Sequence, residues 1–430
     1  MIKKLLGGVF AIILFIIVAL SILAMQQRAP DIDGSETTSG PLAWWSQKLM
    51  QGLFDYRVWS QARSGYIAMF ARDGEIVYAT TSGYANVEEQ IPMALNTRAR
   101  IASLTKPVTA VAAMILLDEG KLNLDDPVSM YIPAAANLRV ASSHQRDAAG
   151  SFDTQPLSKP LLVRHLLMFA SGIGGSGAIG GKSDLDALWQ EKGLFGSSAG
   201  NLQQRIDQLL TLPLFEEPGT KWRYGGSADV MARVIEVAAA QPFTEFLQQR
   251  IFQPLGMNDT GHLPPPNQQD DLARVYTQTE NGELALVEWT IEEESDWTPG
   301  GSGLVSTVPD YMRFGLMLRN GGELNGVRIL QQETVTQMTT PQISGVLAER
   351  DMQGMGWGLG MAVVEDQELT MMTDRNGDYW WAGYFGTYWA VSPTSDLVSV
   401  VFSQYEPGPH TDIPLVVHMV SGVALMGLSN

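Results

Sequence analysis

The 430-residue chain contains no cysteine. That excludes disulfides, thiol nucleophiles, thiolate-ligated zinc and an acylated lipoprotein cysteine. It leaves the compartment open, because an oxidising space does not require disulfides. Positive charge is also scarce: 28 Lys and Arg stand against 46 Asp and Glu, a formal net charge of −18. Phosphates reward cations, so neither a nucleic acid nor an anionic lipid surface is an expected partner of the body of the chain. Charged residues of both signs make up only 17% and apolar residues 45%, which suits a large core and argues against extended disorder. The five histidines (His144, His165, His262, His410, His418) are scattered, and no His-Glu-x-x-His occurs. His165, inside the apolar run "PLLVRHLLMF", reads as structural. The acidic run "EEESD" (292–296) reads as a solvated face rather than a cation site. Gly196-Ser197-Ser198-Ala199-Gly200 matches Gly-x-Ser-x-Gly, but a nucleophile elbow needs a buried strand ahead of the serine. Here the charged, helix-like "DLDALWQEKGLF" precedes it. Neither a metal nor a cofactor is expected.

One long hydrophobic run is present. Lys3 and Lys4 precede "LLGGVFAIILFIIVALSILAM", an uncharged stretch long enough to cross a bilayer. Its exit, Leu23-Ala24-Met25, is a poor signal-peptidase site. Residues 1–25 are therefore expected to be an uncleaved transmembrane anchor in the inner membrane. The lysines should stay cytoplasmic and the body lie on the periplasmic or extracellular side. Residues 26–43, rich in Gly, Ser, Thr and Pro, read as a linker. Residues 44–430 read as one globular domain without internal repeats.

Within that domain "YIAMFARDGEIVYATTSGYA" alternates and turns at Asp73-Gly74, a hairpin signal. A helix is predicted after Ser103, ending at Gly120. The Gly/Ser-rich stretch 171–200 reads as loops around an insertion. "SADVMARVIEVAAAQ" predicts a helix capped by Ser227, and "VPDYMRFGLMLRNGG" another ending at Gly321-Gly322. "GTYWAVSP" and "DLVSVVFSQ" read as two strands, followed by a helical tail "IPLVVHMVSGVALMG" packed on their sheet. Strands at both ends with helices between predict an α+β domain.

The one Ser-x-x-Lys of the chain, Ser103-Leu104-Thr105-Lys106, heads the apolar helix "VTAVAAMILL". A serine in the first helical turn lies by free N–H groups that favour developing negative charge. A lysine three residues later shares its face and, in an apolar pocket, can serve as base. The motif alone leaves an ordinary helix start open. Tyr224, between the turn Pro218-Gly219 and a helix, holds a position where functional residues often sit, though packing would also explain it.

In "RIASLTKPVTAVAAMILLDEGKLNLDDPVSMYIP", "PGTKWRYGGSADVMARVIEVAAAQPFTEFLQQRIFQPLGMNDTG", "GGSGLVSTVPDYMRFGLMLRNGGELNGVRIL", "GMGWGLGMAVV" and "WWAGYFGTYWAVSP" the chain resembles the serine β-lactamase and penicillin-binding-protein superfamily. The likeness, over roughly residues 55–425, is nearest the class C-like branch with the family VIII carboxylesterases. It implies an antiparallel sheet formed by N- and C-terminal strands, flanked by helices, plus a mainly helical subdomain. It implies that Ser103 is acylated, that Lys106 takes its proton, and that Tyr224 shares the base work as the tyrosine of Tyr-x-Asn. Trp381-Ala382-Gly383 corresponds to the Lys-Thr-Gly triplet. Gly383 and Trp381 would line the site, and the backbone N–H groups of Ser103 and Tyr384 would form the oxyanion hole.

Two departures narrow the chemistry. Gly226 replaces the asparagine of Tyr-x-Asn, and Trp381 removes a cation that would hold a substrate carboxylate. Trp222, Trp357, Trp380, Trp381, Tyr384 and Trp389 flank the motifs, and of these Trp381 and Tyr384 are expected to line the site beside an apolar group. The expected protein is a membrane-anchored esterase acting through an acyl-enzyme on a small ester, or amide, with an apolar group. A D,D-peptidase or β-lactamase, and a non-catalytic binding protein of the same fold, are the alternatives. Oligomeric state is left open.

Overall fold

The computed structural model describes residues 37–39, 44–175, 181, 183–192, 200–262, 271–287, 297–347, 353–370 and 375–406. The expected anchor, residues 196–199 of the Gly-x-Ser-x-Gly match, the acidic run 292–296, His410, His418 and the helical tail lie outside them. Among the described residues no helix is long and apolar enough to cross a membrane.

A short strand β1 (Thr37–Ser39) and a helix α1 (Trp44–Trp59) lead into the hairpin β2 (Gly65–Arg72) and β3 (Glu75–Asn86). Both turn residues have positive φ, 52° at Asp73 and 82° at Gly74, the backbone of a tight hairpin turn. β1 falls inside the stretch read as linker, and its backbone pairs with β3 from Tyr78 to Thr80. Helix α2 (Thr105–Asp118) is buried on every side from Thr105 to Leu116, as its uniformly apolar sequence requires, and Gly120 (φ 67°) ends it.

Helix α3 (Ser227–Ala239) corrects one expectation. Ser227 is its first helical residue rather than its cap, and Gly226 holds the N-cap position. The Ser227 hydroxyl is engaged elsewhere, 2.7 Å from Ser171 Oγ. Helix α4 (Val308–Arg319) is capped by Thr307, whose Oγ1 accepts from Asp310 N, and it ends at Gly321-Gly322 as predicted. Within the stretch 171–200, Asp184–Glu191 is helical, as the helix-like "DLDALWQEKGLF" predicts. The last strands are β4 (Met355–Trp357), β5 (Ala362–Val364), β6 (Tyr379–Gly383), β7 (Thr387–Ser392) and β8 (Leu397–Phe402).

These strands form one antiparallel sheet in the order β1-β3-β2-β8-β7-β6-β5-β4. Its two halves meet where β8 pairs β2, from Leu397 opposite Arg72 to Phe402 opposite Ile67. The fold is thus α+β, with a mainly helical segment between the two groups of strands. Cross-strand partners share a face. Phe402 and Trp389 contact Tyr311 of α4, so α4 covers one face. Tyr78 and Ser82 bond α1, and their partners Phe70 and Tyr66 alternate with the residues opposite Phe402. Helix α1 therefore covers the opposite face.

Candidate active site

Ser103 occupies a 3₁₀ turn, Ala102–Leu104, that runs into α2. The residue before it, Ala102, has φ 45°, a left-handed backbone that costs a non-glycine residue about 1–3 kcal/mol. Four hydrogen bonds hold it there. Thr105 Oγ1 donates to Ala102 O (2.7 Å), Tyr311 Oη to Leu104 O (2.7 Å), Thr387 Oγ1 to Ile101 O (3.1 Å), and Ile101 N to Leu304 O (3.0 Å). Gly383 closes the turn from the β6 side. A Cβ there would stand 2.2 Å from Ile101 O and 2.1 Å from Thr387 Oγ1, so only glycine lets the strand end approach the Ser103 turn.

One helical turn on, the buried Lys106 donates from Nζ to Ser103 Oγ at 2.9 Å and to Gly301 O at 2.6 Å. The Nζ lies 4.6 Å from the centre of the Tyr224 ring. Tyr224 Oη accepts from Trp381 Nε1 at 3.3 Å, and its ring stacks on Phe169 with centroids 5.5 Å apart. Ser103, Lys106, Tyr224 and Trp381, more than 270 positions apart at their extremes, therefore form one connected group.

The remaining aromatics divide by burial. Trp357 and Trp389 are core, Trp380 stacks on Tyr388, and Trp222 packs beside Tyr224. Trp357 braces Trp381 edge-on at 4.5 Å and donates from Nε1 to Leu167 O at 3.0 Å. Tyr384, half-buried, joins Ala102, Val275, Val287 and Phe385 in a small apolar cluster beside the Ser103 turn. Its hydroxyl donates to Glu406 at 3.2 Å, and burial, followed by the Glu406 charge, pushes it up. His165 is structural as expected: its Nδ1 accepts from Leu162 N at 3.2 Å.

The sequence reading missed Gly301 and Asp229. Gly301 presents its carbonyl to Lys106 while its N–H donates to Asp229 Oδ1 at 2.8 Å. Asp229 is buried in the first turn of α3, and burial raises its carboxyl above the usual range. The Gly301 N–H and the Lys106 charge oppose that rise. Arg205, also buried, pulls the same way and lies over the Trp297 ring at 4.3 Å. The available signal was an acidic residue among apolar neighbours in "SADVMARV", five positions beyond Tyr224. Gly226 adjoins the site only through its backbone. A Cβ there would meet Leu209 Cδ1 at 3.2 Å and Ile173 Cγ2 at 3.4 Å.

A serine hydroxyl held by a buried lysine at the head of a helix, with a tyrosine over the lysine, is the arrangement of a Ser-x-x-Lys serine hydrolase. The chain belongs to the Beta-lactamase family, whose model matches residues 48–418, and it is a serine hydrolase of that fold. It is 31% identical over 364 residues to an uncharacterized protein of Mycobacterium tuberculosis, covering 81% of this chain and 88% of that one. It is 28% identical to the esterase EstB of Burkholderia gladioli, over 80% of this chain and 86% of the esterase. Among solved structures it is similar to EstCE1, described as a hydrolase with promiscuous acyltransferase activity, at a TM-score of 0.71 and 26% identity. That match covers 86% of this chain and 97% of EstCE1.

Proposed function

We propose that the protein is a membrane-anchored esterase in which Ser103 carries the acyl group. Ser103 Oγ attacks the ester carbonyl carbon, and its proton passes to the Lys106–Tyr224 pair. The tetrahedral oxyanion is held by the backbone N–H groups of Ser103 and Tyr384. As the carbonyl–alkoxy bond breaks, Tyr224 Oη protonates the leaving alkoxide. Water then attacks the acyl-enzyme, giving its proton to the same pair, which returns it to Ser103 Oγ as the acyl–serine bond breaks and the acid leaves. The observation that carries this reading is the 2.9 Å contact between Lys106 Nζ and Ser103 Oγ beneath Tyr224.

The residues around Ser103 support a substrate class. Trp381 offers Tyr224 a neutral N–H, and no Lys or His stands in its triplet to bind a carboxylate. The half-buried Tyr384, packed with Ala102 beside Ser103, suits an apolar acyl or alkyl group. Neutral esters are favoured over β-lactams and D-Ala-D-Ala peptides. The similarity to EstB and EstCE1 supports the same chemistry, and the apolar run 5–25 supports attachment to the inner membrane with the domain outside the cytoplasm.

A fluorophosphonate probe with mass-spectrometric mapping tests the assignment. Labelling at Ser103, lost in Ser103→Ala together with turnover of short p-nitrophenyl esters, is expected. Labelling that survives Ser103→Ala would refute the site. Turnover of a chromogenic cephalosporin without ester turnover would reassign the substrate, and no labelling at all would point to a binding protein.

A further inference from the structure

Ten of the chain's eleven tryptophans lie in described residues, and most of those are buried or half-buried. The three that are not belong to one helix. Trp44, Trp45 and Trp59 of α1 are 76%, 37% and 50% exposed. At 100° per residue Trp45, Lys48, Tyr56 and Trp59 fall on one stripe of about 80°, and Trp44 leads it at the helix N-terminus. The opposite side, with Ser46, Met50 and Phe54, is buried on the sheet, and within the stripe Gly52 is buried too. Aromatics interspersed with a lysine on one exposed stripe are what a bilayer interface accommodates, since indole rings combine an apolar body with a polar N–H.

The charge of the helix agrees. In a chain of net −18, residues 44–59 carry Lys48 and Arg57 against Asp55, a net +1. Asp55 and Arg57 are both turned to the sheet, the carboxylate accepting from Ser82 Oγ at 2.7 Å and the guanidinium donating to Tyr66 Oη at 2.8 Å, so Lys48 is the charge left on the exposed stripe. The chain outside the described structure supplies the proximity. The apolar run ends at residue 25, and the backbone is pinned to the sheet edge from Thr37. Eleven residues separate the two, a covalent span of at most about 40 Å. The edge strand β1 and α1 both pack on β3, so the stripe sits where the anchor delivers the domain.

We infer that the exposed tryptophan stripe of α1 seats the domain on the lipid interface beside its own anchor, with the bilayer as the occupant of that face. Helix α1 covers the sheet face opposite α4 and the nucleophile turn, so the seated domain keeps Ser103 turned away from the lipid. The inference rests on the anchored reading proposed above.

The full chain reconstituted in phosphatidylcholine vesicles with acyl chains brominated near the headgroup tests it. Trp44→Phe/Trp45→Phe/Trp59→Phe removes the three fluorophores while keeping the face apolar. The apolar run itself contains no tryptophan. Bromolipid quenching should be several-fold weaker in the triple variant than in the unsubstituted chain, with ester turnover equal in both. Membrane retention through carbonate extraction with equal quenching in both proteins would overturn the seating and leave the anchor intact. Protection of the three tryptophans from bromolipid in a chain that is dimeric in detergent would assign the face to a second copy and likewise overturn it. Release by carbonate would overturn the anchor and the seating together.

Discussion

Lys106 Nζ has two oxygen partners, and Asp229 reaches it through one of them, the Gly301 peptide. Replacing Asp229 by Ala leaves the buried Gly301 N–H without its acceptor, at about 1–3 kcal/mol. A tenfold rate change corresponds to about 1.4 kcal/mol, so kcat for a p-nitrophenyl ester should fall by roughly 10- to 100-fold with KM little changed. Asp229→Asn keeps an oxygen that can accept from the Gly301 N–H, and it should restore most of that loss. Steady-state kinetics on both variants check the pair. Gly226→Asn would return the missing amide to its motif position, but Leu209 and Ile173 already fill the space. Overpacking should cost about 1–3 kcal/mol of stability, read by chemical denaturation. At this scale Ser103, Lys106, Tyr224 and Trp381 were legible because a motif spacing or a resemblance marks them. Gly301 was not, because its role belongs to a carbonyl oxygen and a glycine carries no side-chain signal.

Among the elements, the 3₁₀ turn that bears Ser103 is held by groups from α2, α4, β7 and the strand Leu304–Ser306. Tyr311 is the longest-range of these supports from a helix, with its buried hydroxyl on Leu104 O. Tyr311→Phe leaves that carbonyl without its donor, at about 1–3 kcal/mol. The melting temperature should drop by several degrees or less, and kcat should fall because the strained Ala102 backbone loses one restraint. Differential scanning calorimetry and ester turnover read the two effects. The elements were largely legible. Asp73-Gly74, Gly120 and Gly321-Gly322 punctuate the chain through their left-handed backbones, which few other residues adopt. Ser227 misled because a capping serine and one bonded to a distant hydroxyl read alike in sequence. Ser171, 56 positions away, decides between them.

At the scale of the whole molecule, acid stability follows from His262. Burial drives its ring down to about 4 from 6.5, and its Nε2 lies 3.3 Å from Pro299 O, two residues before Gly301. The unfolded chain therefore takes up this proton first. The stability carried by neutral His262 is complete above about pH 6.5 and is lost as pH falls towards 4, by up to about 3 kcal/mol. Asp229 and Asp310, raised by burial, contribute in the opposite sense and soften the fall. Thermal melts from pH 7 to 4 should show a loss of stability that His262→Gln makes shallower.

The order of helices and strands, the hairpin, the buried helix and the serine–lysine spacing are local properties, and the sequence by itself determined them through periodicity, glycine and one-turn geometry. The joining of β2 to β8, the pairing of Tyr224 with Trp381 and the Asp229–Gly301–Lys106 relay connect residues up to 335 positions apart, as Ile67 opposite Phe402 shows. Only the tertiary structure decided those, because burial and hydrogen-bond satisfaction depend on which distant groups arrive at the same place.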